Sequence, residues 1–215
     1  MKKAVIFDMD GVIVNSEDLW QRAEKEVFSS LGVKMDEESC NLTMRMTTTE
    51  VTEFWFSKHP WQGKTFEDVE QMVISRVIEL IENEQCGIVG IKEFIEELKS
   101  SGLKVGLATN SPYKIIPRVL SRLGIMSMFD AIASSEFEKK GKPEPDVYLT
   151  VSRKLDENVT ECIAIEDSNS GILSAKKAGM TVFAFTNSGK NKNLKNADYV
   201  FHEYSELNME MFIMN

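Results

Sequence analysis

Cysteine is scarce in this chain of 215 residues: there are three, Cys40, Cys86 and Cys162, odd in number and far apart. No C-x-x-C pair occurs, which argues against a disulfide framework and fits a reducing compartment. Basic charge is also short, with 25 Lys and Arg against 34 Asp and Glu and a formal net charge of −9. That balance excludes general affinity for nucleic acid or for an anionic membrane surface. Long apolar runs are missing as well. No stretch approaches the ~20 residues of a membrane span. Met1-Lys2-Lys3 is followed by only Ala4-Val5-Ile6-Phe7 before Asp8, too short a run for a secretory signal. The expected location is therefore the cytoplasm. Repeats and low-complexity tracts are absent, and so is a glycine-rich loop after the first apolar run, which excludes a Rossmann or P-loop phosphate site there.

What remains is an ordinary globular composition, 42% hydrophobic and 27% charged, able to bury a sizeable core. An anionic substrate would have to be attracted locally, by a metal or a few placed bases. Ala4-Val5-Ile6-Phe7 is a continuous apolar run and predicts a strand buried on both faces. Residues 104–108 (KVGLA), 131–134, 162–165 (CIAI) and 181–185 (TVFAF) have the same character, and 197–201 (ADYVF) predicts a sixth strand at an edge. Helical patterns alternate with them at 91–101, 116–123, 146–155 and 171–178. Such alternation implies an α/β fold, a doubly wound, Rossmann-like parallel sheet with right-handed crossovers.

One block breaks the alternation. Between Ser16 and about Glu84 the periodicity is helical only. Ser16 is placed to cap a helix bearing Leu19, Ala23, Val27, Phe28 and Leu31; residues 49–58 carry Val51, Phe54 and Trp55; Thr65 with Asp68 can open a third helix. The expected organisation is a core of residues 1–14 and 86–215 interrupted, just after its first strand, by a small all-helical cap of residues 15–85. Trp20 and Trp55 are expected in the cap's own core, while Trp61, in a Pro60-Trp61-Gln62-Gly63 loop, has no obvious place.

Four motifs sit at the carboxyl ends of predicted strands, where open α/β sheets bind ligands. Asp8-Met9-Asp10-Gly11-Val12 brings two carboxylates to one site if the chain turns at Gly11. One can attack phosphorus and the other can move the leaving oxygen's proton. An EF-hand reading of the same D-x-D fails, because Val12 and Leu19 fall where ligands belong. Thr109-Asn110-Ser111 offers a hydroxyl and backbone N–H groups for phosphate, though the same residues serve as often for a cap. Lys142, in Gly141-Lys142-Pro143-Glu144-Pro145-Asp146, reads either as a phosphate-neutralising cation or as a solvated basic turn beside Lys139 and Lys140. Glu166-Asp167 ends a buried strand, and adjacent buried acids are costly unless paired or metal-bound. With Asp8 and Asp10 they make a set of hard oxygens suited to Mg²⁺.

In this order the motifs resemble those of the haloacid dehalogenase superfamily over essentially the whole chain. The resemblance implies that Asp8 is nucleophile and metal ligand and that Asp10 is acid/base, its backbone carbonyl also meeting the metal. It implies that Met9, Thr109 and Asn110 help bind phosphate, that Lys142 balances charge, and that Glu166 and Asp167 complete the Mg²⁺ site. Dehalogenating members need neither an acid/base at the position of Asp10 nor a metal, so phosphoryl transfer is implied. The cap, with Asn15-Ser16-Glu17-Asp18-Leu19-Trp20, Arg22-Ala23-Glu24 and the Trp61 loop, is similar to that of the 2-deoxyglucose-6-phosphatase and hexitol phosphatase group. It implies a monomeric phosphatase of small sugar phosphates, with Glu17 and Arg45 as candidate substrate contacts. A β-phosphoglucomutase-type enzyme is the nearest alternative, and a non-catalytic phospho-ligand sensor a more distant one. The chain departs at Arg45-Met46-Thr47, where relatives read Gly-x-Arg, so the arginine is displaced by two residues.

Overall fold

The computed structural model describes residues 1–43, 46–187 and 194–213. The chain divides into two compact units, Met1–Asn15 with Cys86–Asn215 and, inserted between, Ser16–Gln85. In the first unit β1 (Ala4–Phe7) is followed by α5 (Ile91–Ser100), β2 (Lys104–Thr109), α6 (Ile116–Arg122), β3 (Ala131–Ser134), α7 (Asp146–Leu155), β4 (Cys162–Glu166), α8 (Asn169–Ala178), β5 (Thr181–Phe185), β6 (Tyr199–Phe201) and α9 (Glu210–Ile213). The second unit holds α1 (Glu17–Ser30), α2 (Glu37–Thr43), α3 (Thr48–Lys58) and α4 (Phe66–Asn83).

All six strands among the described residues are parallel, in the order β3-β2-β1-β4-β5-β6. The chain winds outward from β1 through β2 to β3, then returns to lay β4, β5 and β6 on the other side. The winding direction therefore reverses between β1 and β4, and their carboxyl ends flank the crevice that such a reversal opens. Side-chain size divides the two faces. On one, Ala4, Ala108, Ala131, Ala133, Ala164 and Ala184 let α7 and α8 come close. At Gly106 a Cβ would lie 2.5 Å from Val151 of α7. On the other face Phe7 meets Phe94 of α5 edge-on at 6.1 Å, and Phe183 meets Phe212 of α9 at 5.2 Å. Aliphatic and aromatic bulk on one side and alanine on the other is how a continuous apolar strand serves two helical layers.

The outer strands begin with a shared device. Asp130 accepts the Val105 N–H and the Lys99 ammonium at the start of β3, and Asp198 accepts the Val182 N–H and the Lys176 ammonium before β6. A carboxylate thus stands in for a ladder carbonyl, so β6 is Tyr199–Phe201, shorter than the 197–201 expected.

In the second unit α1 packs on α4 and α3 on α4. Capping boxes Thr47/Glu50 and Thr65/Asp68 open α3 and α4. Ser16 occupies the N-cap position of α1, but its side chain makes no capping bond there. Trp61 is buried against Phe56 at 4.8 Å and Phe28 at 6.0 Å, so the Trp61 loop folds back into an aromatic cluster. No described helix is long and apolar enough to cross a membrane.

Glu24 on α1 is half-buried, and burial alone lifts its carboxyl to about 7. The unfolded chain ionises this group nearer 4, so stability should fall as pH rises from about 4 to about 7, by up to roughly 3 kcal/mol. Glu24→Gln should consequently be more stable than the parent at pH 8, with the difference gone near pH 4. Urea titrations at the two pH values measure this; a difference independent of pH would contradict the assignment.

Candidate active site

β1 ends at Phe7, and Asp8 continues its register by donating its N–H to Ile165 O of β4 at 2.9 Å. The chain then closes a tight loop. Ile13 and Val14 donate to Met9 O at 2.9 and 3.1 Å, and Gly11 donates to Val14 O at 2.7 Å. Tyr204 pins the loop from behind through its hydroxyl on Val12 O at 3.0 Å. Gly11 is required twice over: its φ is +77°, and a Cβ there would sit 2.2 Å from Asp167 Oδ2. Asp167 follows β4, so the loop after β1 and the end of β4 meet at the crevice.

Lys142 lies at the centre. Its ammonium donates to Asp8 Oδ1 and Glu166 Oε1, both at 2.6 Å, and to Ala108 O at 2.9 Å, and the side chain is 4% exposed. The solvated-turn reading of this lysine is thereby excluded. Asn110 holds the segment in place, its amide oxygen accepting the Lys142 N–H at 2.9 Å and its amide nitrogen donating to Lys142 O at 3.4 Å. Gly141 lets that clasp form, since a Cβ would lie 2.9 Å from Asn110 Oδ1.

Glu166 is fully buried and engaged on both oxygens, Oε1 by Lys142 and by the Tyr148 hydroxyl at 2.7 Å, Oε2 by Ser168 Oγ at 3.3 Å. The carboxylates of Asp8, Glu166 and Asp167 each bring an oxygen within 4.8 Å of the others, and all three residues are buried. The Asp10 carboxylate is engaged separately, accepting Ser111 Oγ at 2.5 Å. Thr109 is buried and its Oγ1 accepts the Ser111 N–H at 3.0 Å.

Electrostatics of the cluster follow from its composition. Burial pushes the Asp8 carboxyl well above its ordinary range; Lys142 pulls the other way, and Glu166, Asp10 and Asp167 add to the rise. Burial disfavours the Lys142 ammonium, but Asp8 and Glu166 more than offset this and hold it above its usual value. One lysine thus faces four acids. A hard-oxygen set with surplus negative charge fits a divalent cation such as Mg²⁺, Glu166 being the member that both Lys142 and Tyr148 engage.

The fold therefore gathers Asp8, Asp10, Thr109, Asn110, Lys142, Glu166 and Asp167 around the ends of β1, β2 and β4. Met9 differs in kind, because its side chain is fully buried in the core and only its main chain could meet a ligand. Glu17 is exposed in the first turn of α1, in the second unit, and Arg45 lies outside the described residues. Two residues were missed. Ser111 stands in the quoted Thr109-Asn110-Ser111 and a strand-end hydroxyl two residues on was the signal available. Tyr148 was hidden among the apolar positions of α7.

The chain belongs to the haloacid dehalogenase-like hydrolases, whose sequence profile matches residues 5–185. Among its relatives, hexitol phosphatase B of Escherichia coli (strain K12) is 38% identical over 178 residues, which cover 82% of this chain and 80% of that protein. β-Phosphoglucomutase of Bacillus subtilis (strain 168) is 32% identical over 221 residues, covering 97% and 93%. The crystal structure of CbbY from Rhodobacter sphaeroides in complex with phosphate is similar with a TM-score of 0.87 at 26% identity, covering 97% of each chain.

Proposed function

We propose that this hydrolase is a Mg²⁺-dependent phosphatase of hexose or hexitol phosphates that works through an aspartyl-phosphate on Asp8. Membership of a hydrolase family together with likeness to a hexitol phosphatase supports hydrolysis of a phosphoric monoester. The observation that carries the finer reading is the pairing of Asp8 with Lys142 at 2.6 Å while Asp10, two residues on, is held apart by Ser111. One carboxylate is thereby kept against a cation and the other against a hydroxyl, a division suited to nucleophile and acid/base.

In the first step an Asp8 oxygen attacks phosphorus, the bond from phosphorus to the sugar oxygen breaks, and Asp10 gives that oxygen its proton. In the second a water attacks phosphorus, Asp10 takes the water's proton, and the bond to Asp8 breaks, restoring the Asp8 carboxylate and the protonated Asp10 and releasing phosphate. Lys142 remains protonated throughout and faces the phosphoryl charge, while Thr109 offers its hydroxyl to a phosphate oxygen. Asp8, Asp167 and the main-chain carbonyl of Asp10 would hold Mg²⁺, with Glu166 behind them; bound there, the ion supplies charge neutralisation for the phosphoryl oxygens. The 15–85 helical segment would act as a cap that excludes water in the first step and admits it in the second.

A panel of phosphorylated hexoses, hexitols, other polyols and nucleotides, assayed for released phosphate, tests the substrate class. Hexose or hexitol phosphates should give the highest kcat/KM, and nucleotides leading the panel would overturn the assignment. Activity should vanish with a chelator, return with Mg²⁺ and be inhibited by Ca²⁺, whose larger and looser shell misaligns nucleophile and phosphate. Full activity after demetallation would remove Asp167 and Glu166 from metal binding.

A further inference from the structure

We propose that Tyr148 is a positioning residue for phosphoryl transfer, holding Glu166 and Lys142 so that the lysine stays on Asp8; the proposal rests on the phosphatase reading above. Tyr148 is the third residue of α7 and is fully buried. It touches both members of the pair. Its hydroxyl donates to Glu166 Oε1 at 2.7 Å, and the Lys142 ammonium lies over its ring, 5.0 Å from the centroid. Both hydrogen bonds on Oε1, from the phenol and from the lysine, therefore end on one carboxylate oxygen.

The remaining sides of Glu166 are closed. Ser168 donates to Oε2 at 3.3 Å, and the carboxylate lies directly against the backbone of Gly171, where a Cβ would come within 2.0 Å of it. Glu166 cannot retreat toward α8, so the phenol decides where Oε1 sits on the side facing Lys142. Lys142 in turn is stretched among Glu166, Asp8 and Ala108 O. If Oε1 moves, the ammonium follows it and leaves Asp8, because both acceptors compete for one cation at equal distance. Packing alone does not call for the hydroxyl. Val147, Val151 and Leu155 are the other apolar residues buried on α7, and a phenylalanine would suit their company. The oxygen's purpose is Glu166.

Tyr148→Phe, which keeps the ring, tests this when read with Ser152→Ala as control. Ser152 is buried on the same helix and donates to Glu157 O at 2.6 Å, remote in sequence and partner from Lys142. Tyr148→Phe should lower kcat on p-nitrophenyl phosphate about tenfold and weaken binding of inorganic phosphate, measured by calorimetry in excess Mg²⁺, by a comparable factor. Ser152→Ala should lose thermal stability but keep kcat and phosphate affinity within about twofold. The decisive readout is non-additivity: in a Glu166→Gln background, adding Tyr148→Phe should change phosphate affinity by less than about twofold, since the residue through which it acts is already disabled. Additive losses, or a Tyr148→Phe protein that is less stable yet unchanged in kcat and phosphate affinity, would overturn the proposal. Should the parent release phosphate from no monoester, the phosphatase reading fails, while the calorimetric cycle still decides the role of Tyr148.

Discussion

Asp8→Asn should fold as the parent does and release phosphate at less than about a thousandth of the parent's rate. The amide is a poor nucleophile, and it brings no negative charge to Lys142 or to a metal. The fold survives because the anchors of this position are not lost. The Asp8 N–H still pairs with Ile165 O, and Lys142 keeps Glu166 Oε1 and Ala108 O as acceptors. Loss of turnover would therefore report chemistry and not unfolding. Circular dichroism and thermal melting establish the fold; a phosphate-release assay measures the rate. Acid-quenched parent should carry a phosphoryl group on the peptide containing Asp8, detectable as added mass, and the variant should carry none. A folded variant retaining more than about one per cent of activity would remove Asp8 as the nucleophile.

The sheet was legible because burial on both faces leaves a mark that no other element makes at this length. Ala4–Phe7, KVGLA, CIAI and TVFAF are too short for helices and too uniformly apolar for half-exposed strands, and glycines or acids bound them. Helix limits were less legible where a side chain took over a backbone role. The helix expected at 171–178 begins at Asn169 because Ser168 accepts the Gly171 N–H. α2 went unseen, since Glu37, Glu38, Ser39 and Asn41 give seven polar-rich residues no apolar period, and its start is fixed by Asp36, which takes the Ser39 N–H and hydroxyl. Trp61 could not be placed because its contacts, Phe28 and Phe56, come from other helices.

The acids of the site were legible for a different reason, whereas Lys142 read equally well as a solvated basic turn beside Lys139 and Lys140. A charged residue directly after a buried apolar strand is expensive unless it has a partner, so Asp8, Glu166 and Asp167 announced themselves by cost. Sequence could not say how partners would be apportioned. Asn110 was expected to offer its backbone to phosphate, whereas its side chain is spent on the Lys142 segment. Glu166 was expected among the metal ligands, and it lies within reach of Asp8 and Asp167, yet Lys142, Tyr148 and Ser168 already occupy it. Ser111 and Tyr148 act through one hydroxyl each, and a hydroxyl near a strand end or in an apolar stripe costs too little, and occurs too often, to be singled out.

Mixed with hexose 6-phosphates or hexitol phosphates and Mg²⁺ alone, the protein should form inorganic phosphate in equal amount to the substrate consumed, with no bisphosphate needed as activator. β-Glucose 1-phosphate should not be converted to the 6-phosphate at a comparable rate. Both a hydrolase and a mutase can be built on this set of residues, and the β-phosphoglucomutase relative spans nearly the whole chain. Asp10, oriented by Ser111, can take a proton from water or from a sugar hydroxyl, so the acid/base does not discriminate. The difference lies in which nucleophile reaches phospho-Asp8. A mutase must keep water out while the sugar turns round, which requires a second firm hold on a phosphate away from Asp8. The sequence reading expects the arginine that would supply such a hold two residues from its usual place, at Arg45, and the hexitol phosphatase relative has the higher identity, 38% against 32%. Water should therefore win. Following glucose 1-phosphate, glucose 6-phosphate and free phosphate in one reaction decides between the two. Isomerisation outrunning phosphate release, and stimulated by a hexose bisphosphate, would replace the phosphatase with a mutase while leaving Asp8, Asp10 and Lys142 in the same roles.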